Sequence, residues 1–245
     1  MRLLSSVTAG LADLVLPGTC AGCGEASTSP QGVCQGCVAV LAALHPHPTR
    51  PDPEPADLPH CAALGDYHGV LRELILAYKE QGRHALARPL GRLLASVVAS
   101  LLPADAAGRQ ATAGVVLVPV PDTPAAARAR HGDHLWRLAR PAAARLREAG
   151  VPVRLARPLR ARPRPDSAGL DRAARAAAAR TSLWPRSRRV ASLRRMLATR
   201  PAPVVLLDDV VTTGATLAAA AARLATAGIP VTGAAVLAAT RRRMG

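Results

Sequence analysis

The chain has 245 residues, 49% of them apolar, and a formal net charge of +16 that comes almost wholly from arginine. That is enough for one α/β unit with a small appendage and too little for two large domains, and the apolar content excludes wholesale disorder. Two tryptophans, two tyrosines and no phenylalanine offer few platforms for stacking bases, so the charge reads as attraction for nucleic acid or a multiply phosphorylated substrate, or as a solvated Arg-rich surface.

Three zones follow one another. Residues 1–44 open with Leu4, Val7, Leu11, Leu14 and Val15 at helical spacing, which predicts an amphipathic helix and not a secretory leader. No apolar run reaches 18 residues, so no membrane-spanning helix is expected. Cys20, Cys23, Cys34 and Cys37 then form C-x2-C-x10-C-x2-C. Four thiolates so paired suit a closed, structural Zn²⁺ site; a redox dithiol and four unligated thiols are the alternatives. Cysteine usage of this kind points to a cytoplasmic protein and not to a disulfide framework. A module of some 20 residues has no core of its own, so metal would supply its folding energy, and its loss is expected to spare the rest of the chain. Residues 45–60 hold Pro46, Pro48, Pro51, Pro53, Pro55 and Pro59 and read as an extended linker.

Residues 61–245 read as one α/β unit, with the lone Cys61 as a small buried apolar group. Helices are predicted over Gly69–Gln81, His84–Leu102, Gly132–Ala149, Leu170–Arg180 and Ala215–Ala227. Strands are predicted over Val115–Val120, Val151–Leu155, Val204–Leu207 and Val231–Ala238, with a basic loop at Arg157–Ser167. The alternation implies a Rossmann-like parallel sheet flanked by helices.

The most informative stretch is Val204-Val205-Leu206-Leu207-Asp208-Asp209-Val210-Val211-Thr212-Thr213-Gly214-Ala215-Thr216. A buried strand ends in two carboxylates, and a Thr/Gly turn then opens a helix. Such an N-terminus presents unpaired N–H groups and a positive dipole end, Gly214 lets an anion approach the backbone, and three threonines add hydroxyls. Asp208 and Asp209 stand one phosphate-length away, placed to accept hydrogen bonds from ribose hydroxyls. An ordinary strand–turn–helix with a polar cap explains only part of this pattern.

This segment resembles the phosphoribosyl pyrophosphate loop of type I phosphoribosyltransferases. The chain as a whole resembles the ComF family, which joins such a domain to an N-terminal zinc-ribbon-like element. The narrower resemblance is carried by Gly69–Lys79, by Val118-Pro119-Val120-Pro121 with Arg128 and Arg130-His131-Gly132, and by Gly169-Leu170 with Arg172 and Arg175. It implies a transferase of the glycosyltransferase class that binds phosphoribosyl pyrophosphate with Mg²⁺. Asp208, Asp209, Val211, Thr212, Thr213, Gly214, Ala215 and Thr216 would hold ribose and phosphate, and Arg128, Arg130 and Arg164 are candidates for the pyrophosphate. His131 and His134 read either as acid/base groups or as bystanders. The family also implies a link to competence, with single-stranded DNA or DNA-uptake proteins as partners. The alternative is a non-catalytic protein that senses the ligand or binds DNA or protein. Gly132-Asp133-His134 stands where the family pattern has Gly-Phe-Asn-Gln, Ser167 where it has Gln, and alanines follow Arg175 where it has Asn. These departures change polar groups that would orient a ligand and leave the phosphate loop intact.

Overall fold

The computed structural model describes residues 18–26, 29, 31–103, 114–162 and 182–240. In chain order these form α1 (Gln35–Ala42), β1 (His47–Thr49), β2 (Cys61–Asp66), α2 (Gly69–Glu80), α3 (Ala87–Ser100, preceded by a 3₁₀ turn at His84–Leu86), β3 (Val115–Pro119), α4 (Pro124–Ala129), α5 (His134–Glu148), β4 (Val153–Leu155), β5 (Leu159–Ala161), β6 (Leu183–Pro185), α6 (Ser187–Thr199), β7 (Val204–Val211), α7 (Ala215–Thr226) and β8 (Gly233–Ala239). The expected helices at the N-terminus and at Leu170–Arg180 lie outside the described residues.

Six strands make one sheet in the order β1-β2-β8-β7-β3-β4. All its pairings are parallel except β1 with β2. The inner strands are continuous apolar runs because helices cover the sheet: β3 and β8 are buried at every position. Small side chains dominate β8, where Ala234, Ala235, Ala238 and Ala239 sit between β2 and β7. α3 packs on β2 and β8, α5 on β3 and β4, and α7 on β7.

α1, β2, α4 and α6 are not among the expected elements, and three further features stand out. The proline-rich stretch contributes an edge strand, with Pro48 opposite Ala62; proline is tolerated there because an edge strand leaves one row of N–H groups unused. The basic loop after β4 contains β5, which pairs antiparallel with β6 in a separate ribbon. The Cys-rich segment is not detached, since Cys20, Val33, Cys37 and Leu41 belong to the same buried cluster as Leu71 and Leu74 of α2. No helix among the described residues is long and apolar enough to cross a membrane.

Candidate functional site

The connectivity fixes where a ligand can enter. From β3 the chain moves outward through α5 to β4; from β7 it moves the opposite way through α7 to β8. The carboxyl ends of β3 and β7 therefore flank a topological switch point, where open parallel sheets form a crevice. Val120 N–H donates to the Leu207 carbonyl at 3.0 Å, which closes the two strands just below that crevice. Above it lies a cavity of about 660 Å³ whose wall includes Asp122, Thr123, Arg130, Asp208, Asp209 and Thr216.

β7 runs on through both aspartates to Val211, so the pleat sends their side chains different ways. Asp208 is half-buried, and its Oδ1 accepts from the Asp209 N–H at 2.9 Å. Asp209 is only 4% exposed. Its Oδ2 accepts from Lys79 Nζ at 2.9 Å and from His134 Nε2 at 2.8 Å. The other ring nitrogen of His134, Nδ1, bonds to Asp122 Oδ2. Arg130 continues the chain, reaching Asp122 Oδ1 and Glu80 Oε1 at 3.3 Å each. Tyr78 OH fixes the backbone here by donating to the His134 carbonyl at 2.6 Å.

This network sets the charges. Both ring nitrogens of His134 face carboxylate oxygens, so both donate and the ring is an imidazolium. Burial opposes that charge, but the hydrogen bonds to Asp122 and Asp209 push His134 up to about 9. Burial likewise opposes ionisation of Asp209, yet His134 and Lys79 hold it below the usual carboxylate range. Asp208 moves the other way, to about 7, through burial and the negative Asp209 beside it. Adjacent carboxylates thus divide into an anchor ionised throughout the neutral range and a group poised near neutrality.

The turn after β7 opens a helix without a side-chain cap. Gly214 sits at φ 71°, ψ −3°, the left-handed conformation that glycine alone adopts freely. Ala218 N–H bonds the Gly214 carbonyl at 2.9 Å, and Thr213 Oγ1 accepts from Ala215 N–H at 3.4 Å. The N–H groups of Thr216 and Leu217 precede the first intrahelical bond, so they have no helical acceptor. A Cβ on Gly214 would lie 3.0 Å from both Pro51 Cγ and Leu58 Cδ1, which shows the proline-rich stretch packed against this turn. Gly214→Val is therefore expected to distort the turn twice over, by strain and by overlap. Circular dichroism should show a folded protein whose melting temperature is lowered by several degrees.

The four cysteine sulfurs lie within 4.8 Å of one another. Cys23 Sγ and Cys34 Sγ are 3.7 Å apart, close to the edge of a tetrahedron with Zn–S bonds of about 2.3 Å. Backbone N–H groups of Gly22 and Cys34 point at Cys20 Sγ, at 3.4 and 3.2 Å, and that of Cys37 at Cys34 Sγ, at 3.4 Å. Donors directed at sulfur stabilise thiolates, so the set fits a Zn²⁺ ion. Cys61 stands apart: its thiol donates to the Pro59 carbonyl at 3.2 Å, and burial pushes it up to about 12, which suits a packed group and not a nucleophile.

Compared with protein-family models and with curated proteins, the chain matches none.

The structure brings Asp208, Asp209, Arg130 and Thr216 together around the cavity. Val211 is buried beneath the turn, Thr213 and Ala215 are half-buried in it, and Thr212 faces solvent. Arg128 is exposed in the last turn of α4 and is not on the cavity wall. Arg164 lies outside the described residues, as do Gly169, Leu170, Arg172 and Arg175. His131 is exposed, at φ 52°, while His134 is buried. Sequence reasoning gave no site role to Lys79 or Asp122. Lys79 carried one signal: it is the single lysine of a chain rich in arginine.

Proposed function

We propose that this protein binds phosphoribosyl pyrophosphate, with Mg²⁺, at the Asp208–Thr216 loop and transfers its phosphoribosyl group to an acceptor, as the ComF-type resemblance implies. The observation that carries the reading is the position of that loop. An acidic pair and a left-handed Gly214 opening α7 stand at the switch point of a parallel sheet, on the wall of a cavity of about 660 Å³.

In the proposed reaction the bond from ribose C1 to pyrophosphate breaks, and the pyrophosphate leaves with the electron pair. A nitrogen lone pair of the acceptor forms the new bond, and the nitrogen then releases its proton to solvent. Asp208 accepts the ribose hydroxyls, while the Thr213 and Thr216 hydroxyls and the first-turn N–H groups of α7 hold the 5-phosphate. Arg130, on the cavity wall, faces the leaving pyrophosphate. Asp209 serves indirectly, because Lys79 and His134 already occupy it. Asp208, which makes no ion pair among the described residues and faces the cavity, is the carboxylate that suits Mg²⁺ bound largely through substrate oxygens and water. Mg²⁺ would neutralise charge developing on the pyrophosphate. Zinc at the four cysteines is structural in this reading, and the protein is cytoplasmic.

A second reading, a ligand-sensing or DNA- or protein-binding accessory without turnover, is favoured by one observation. Beside its acidic and basic groups the cavity wall carries Ala125, Ala126, Ala129 and Ala161, and the ionisable Lys79, Asp122, Arg130, His134 and Asp209 bond one another. Calorimetric titration with phosphoribosyl pyrophosphate, with and without Mg²⁺ and at two salt concentrations, tests the shared premise. Binding is expected to require Mg²⁺ and to weaken about tenfold or more in Asp208→Asn, a variant that keeps shape and removes a charge. Unchanged affinity in that variant removes the ribose role. Binding without pyrophosphate release in the presence of candidate acceptors favours the accessory reading.

A further inference from the structure

Six arginines crowd the corner of the molecule beyond the β4 edge. Arg154 lies on β4, Arg157 just after it and Arg160 on β5, while Arg186 stands at the N-cap of α6 with Arg188 and Arg189 in its first turn. Among the described residues the one ion pair they make is Arg157 Nη2 to Asp133 Oδ2, at 2.6 Å. The first turn of α6 contains no acid, and Arg186 makes no side-chain cap. Cations at the positive end of a helix dipole oppose its stability unless an anion joins them. Burial and repulsion from Arg189, Arg157 and Arg160 hold Arg186 below the usual arginine range.

This corner is also concave. Arg154, Arg157, Arg188 and Arg189, with Trp136 and Ser192, line a cavity of about 450 Å³ between α5, the end of β4 and α6. That volume lies in the range of small-molecule sites. The cavity shares no wall residue with the one at the switch point.

We propose that this pocket binds a compact polyphosphate, carried either by a nucleoside triphosphate or by inorganic polyphosphate. Convergent guanidinium forks match phosphate oxygens in geometry and charge. A strand of nucleic acid would need a groove with free aromatic faces; the aromatic on this cavity's wall, Trp136, has Arg157 over its ring at 5.0 Å, and Trp184, opposite Arg160 in the β5–β6 ribbon, has Arg162 over its ring at 3.9 Å. The site stands independently of the function assigned to the Asp208–Thr216 loop.

The test is calorimetric titration, without Mg²⁺, of the full chain with inorganic tripolyphosphate, with ATP and with an oligothymidylate of about 20 nucleotides. Three proteins are compared: the native chain, the pocket variant Arg154→Gln/Arg188→Gln/Arg189→Gln, and a control, Arg50→Gln/Arg72→Gln/Arg145→Gln, that loses the same charge elsewhere. Tripolyphosphate or ATP should bind one per chain, about tenfold or more weaker in the pocket variant and less than about twofold weaker in the control. Equal affinity for the two ligands identifies the phosphate chain alone, and tighter ATP binding identifies a nucleotide. Equal losses in both variants would mean attraction by net charge and overturn the pocket, as would no binding at all. Binding of the oligonucleotide alone would make the corner a nucleic-acid surface and overturn it equally. Asp208→Asn should leave tripolyphosphate affinity unchanged, which separates failure here from failure of the loop assignment.

Discussion

His134→Leu is expected to destabilise the protein by about 3–5 kcal/mol at neutral pH and to flatten the upper limb of its stability against pH. The first part follows from burial. His134 is 4% exposed and bridges Asp122 and Asp209, and removing one member of a buried charged network leaves the others short of counter-charge. The second part follows from proton linkage. The folded-state pKa of His134, about 9, is raised above the ordinary 6.5, so its stabilisation is complete below about 6.5 and is lost as pH rises through 9. Asp209 is depressed below the ordinary 3.8, so its share is present above that value and lost only as pH falls further. Asp208 titrates near 7 in the fold, and the clean window therefore opens above it. Between pH 7.5 and 9.5 the native chain should lose about 2 kcal/mol that the variant does not. Urea unfolding of both proteins at the two pH values measures this; equal losses would mean that His134 is not held as an imidazolium in the fold.

Much of the sheet was legible because its strands are uninterrupted apolar runs, as at Val204–Leu207 and Val115–Val120. The strand beneath the loop was longer than its apolar pattern, since Asp208 and Asp209 continue the ladder opposite Val236 and toward Ala238. Polar residues end a pattern without ending a strand. β2 was harder to read because Ala62, Ala63 and Gly65 carry little propensity, and its stability comes from parallel partners that the local sequence does not announce. α6 has mostly arginine and serine in its first turn, so its buried Val190 and Leu193 make a weak stripe.

The same distinction applies to the site. The turn after β7 is local: its glycine, threonines and aspartates are consecutive, so spacing displays it. The charged network is assembled from α2, the segment after β3, α5 and β7, with sequence separations such as 75 residues between His134 and Asp209. Each member alone reads as a surface charge. Only the fold shows that Asp209 is anchored while Asp208 is free to face the cavity, a division of labour that two adjacent identical residues cannot reveal.

On the reading that the four cysteines hold zinc, its chelation, or Cys20→Ser/Cys37→Ser, is expected to lower the melting temperature by roughly 10 °C or more and to loosen α2 as well as the Cys-rich segment. The magnitude assumes a metal contribution of a few kcal/mol in a chain of this size, at about 2–4 °C for each. The reach of the effect comes from packing. A Cβ on Gly22 would lie 2.8 Å from Cys37 Sγ and 2.9 Å from both Val70 Cγ1 and Leu74 Cδ1, so the Cys20–Cys23 turn rests on α2 with no space between them. Arg83 adds a second tie, donating to the Thr19 carbonyl at 2.7 Å. An independent module, the expectation from its length, would release without consequence. α2, however, also carries Lys79, whose ammonium holds Asp209. Loss of the metal should therefore increase hydrogen exchange over residues 69–80 and, on the proposed function, weaken ribose 5-phosphate binding, although no cysteine lines the cavity. Unaltered exchange across that helix after complete zinc removal would restore the picture of a detached module. A coupled loss would make the four cysteines the outer support of the charge network at the switch point.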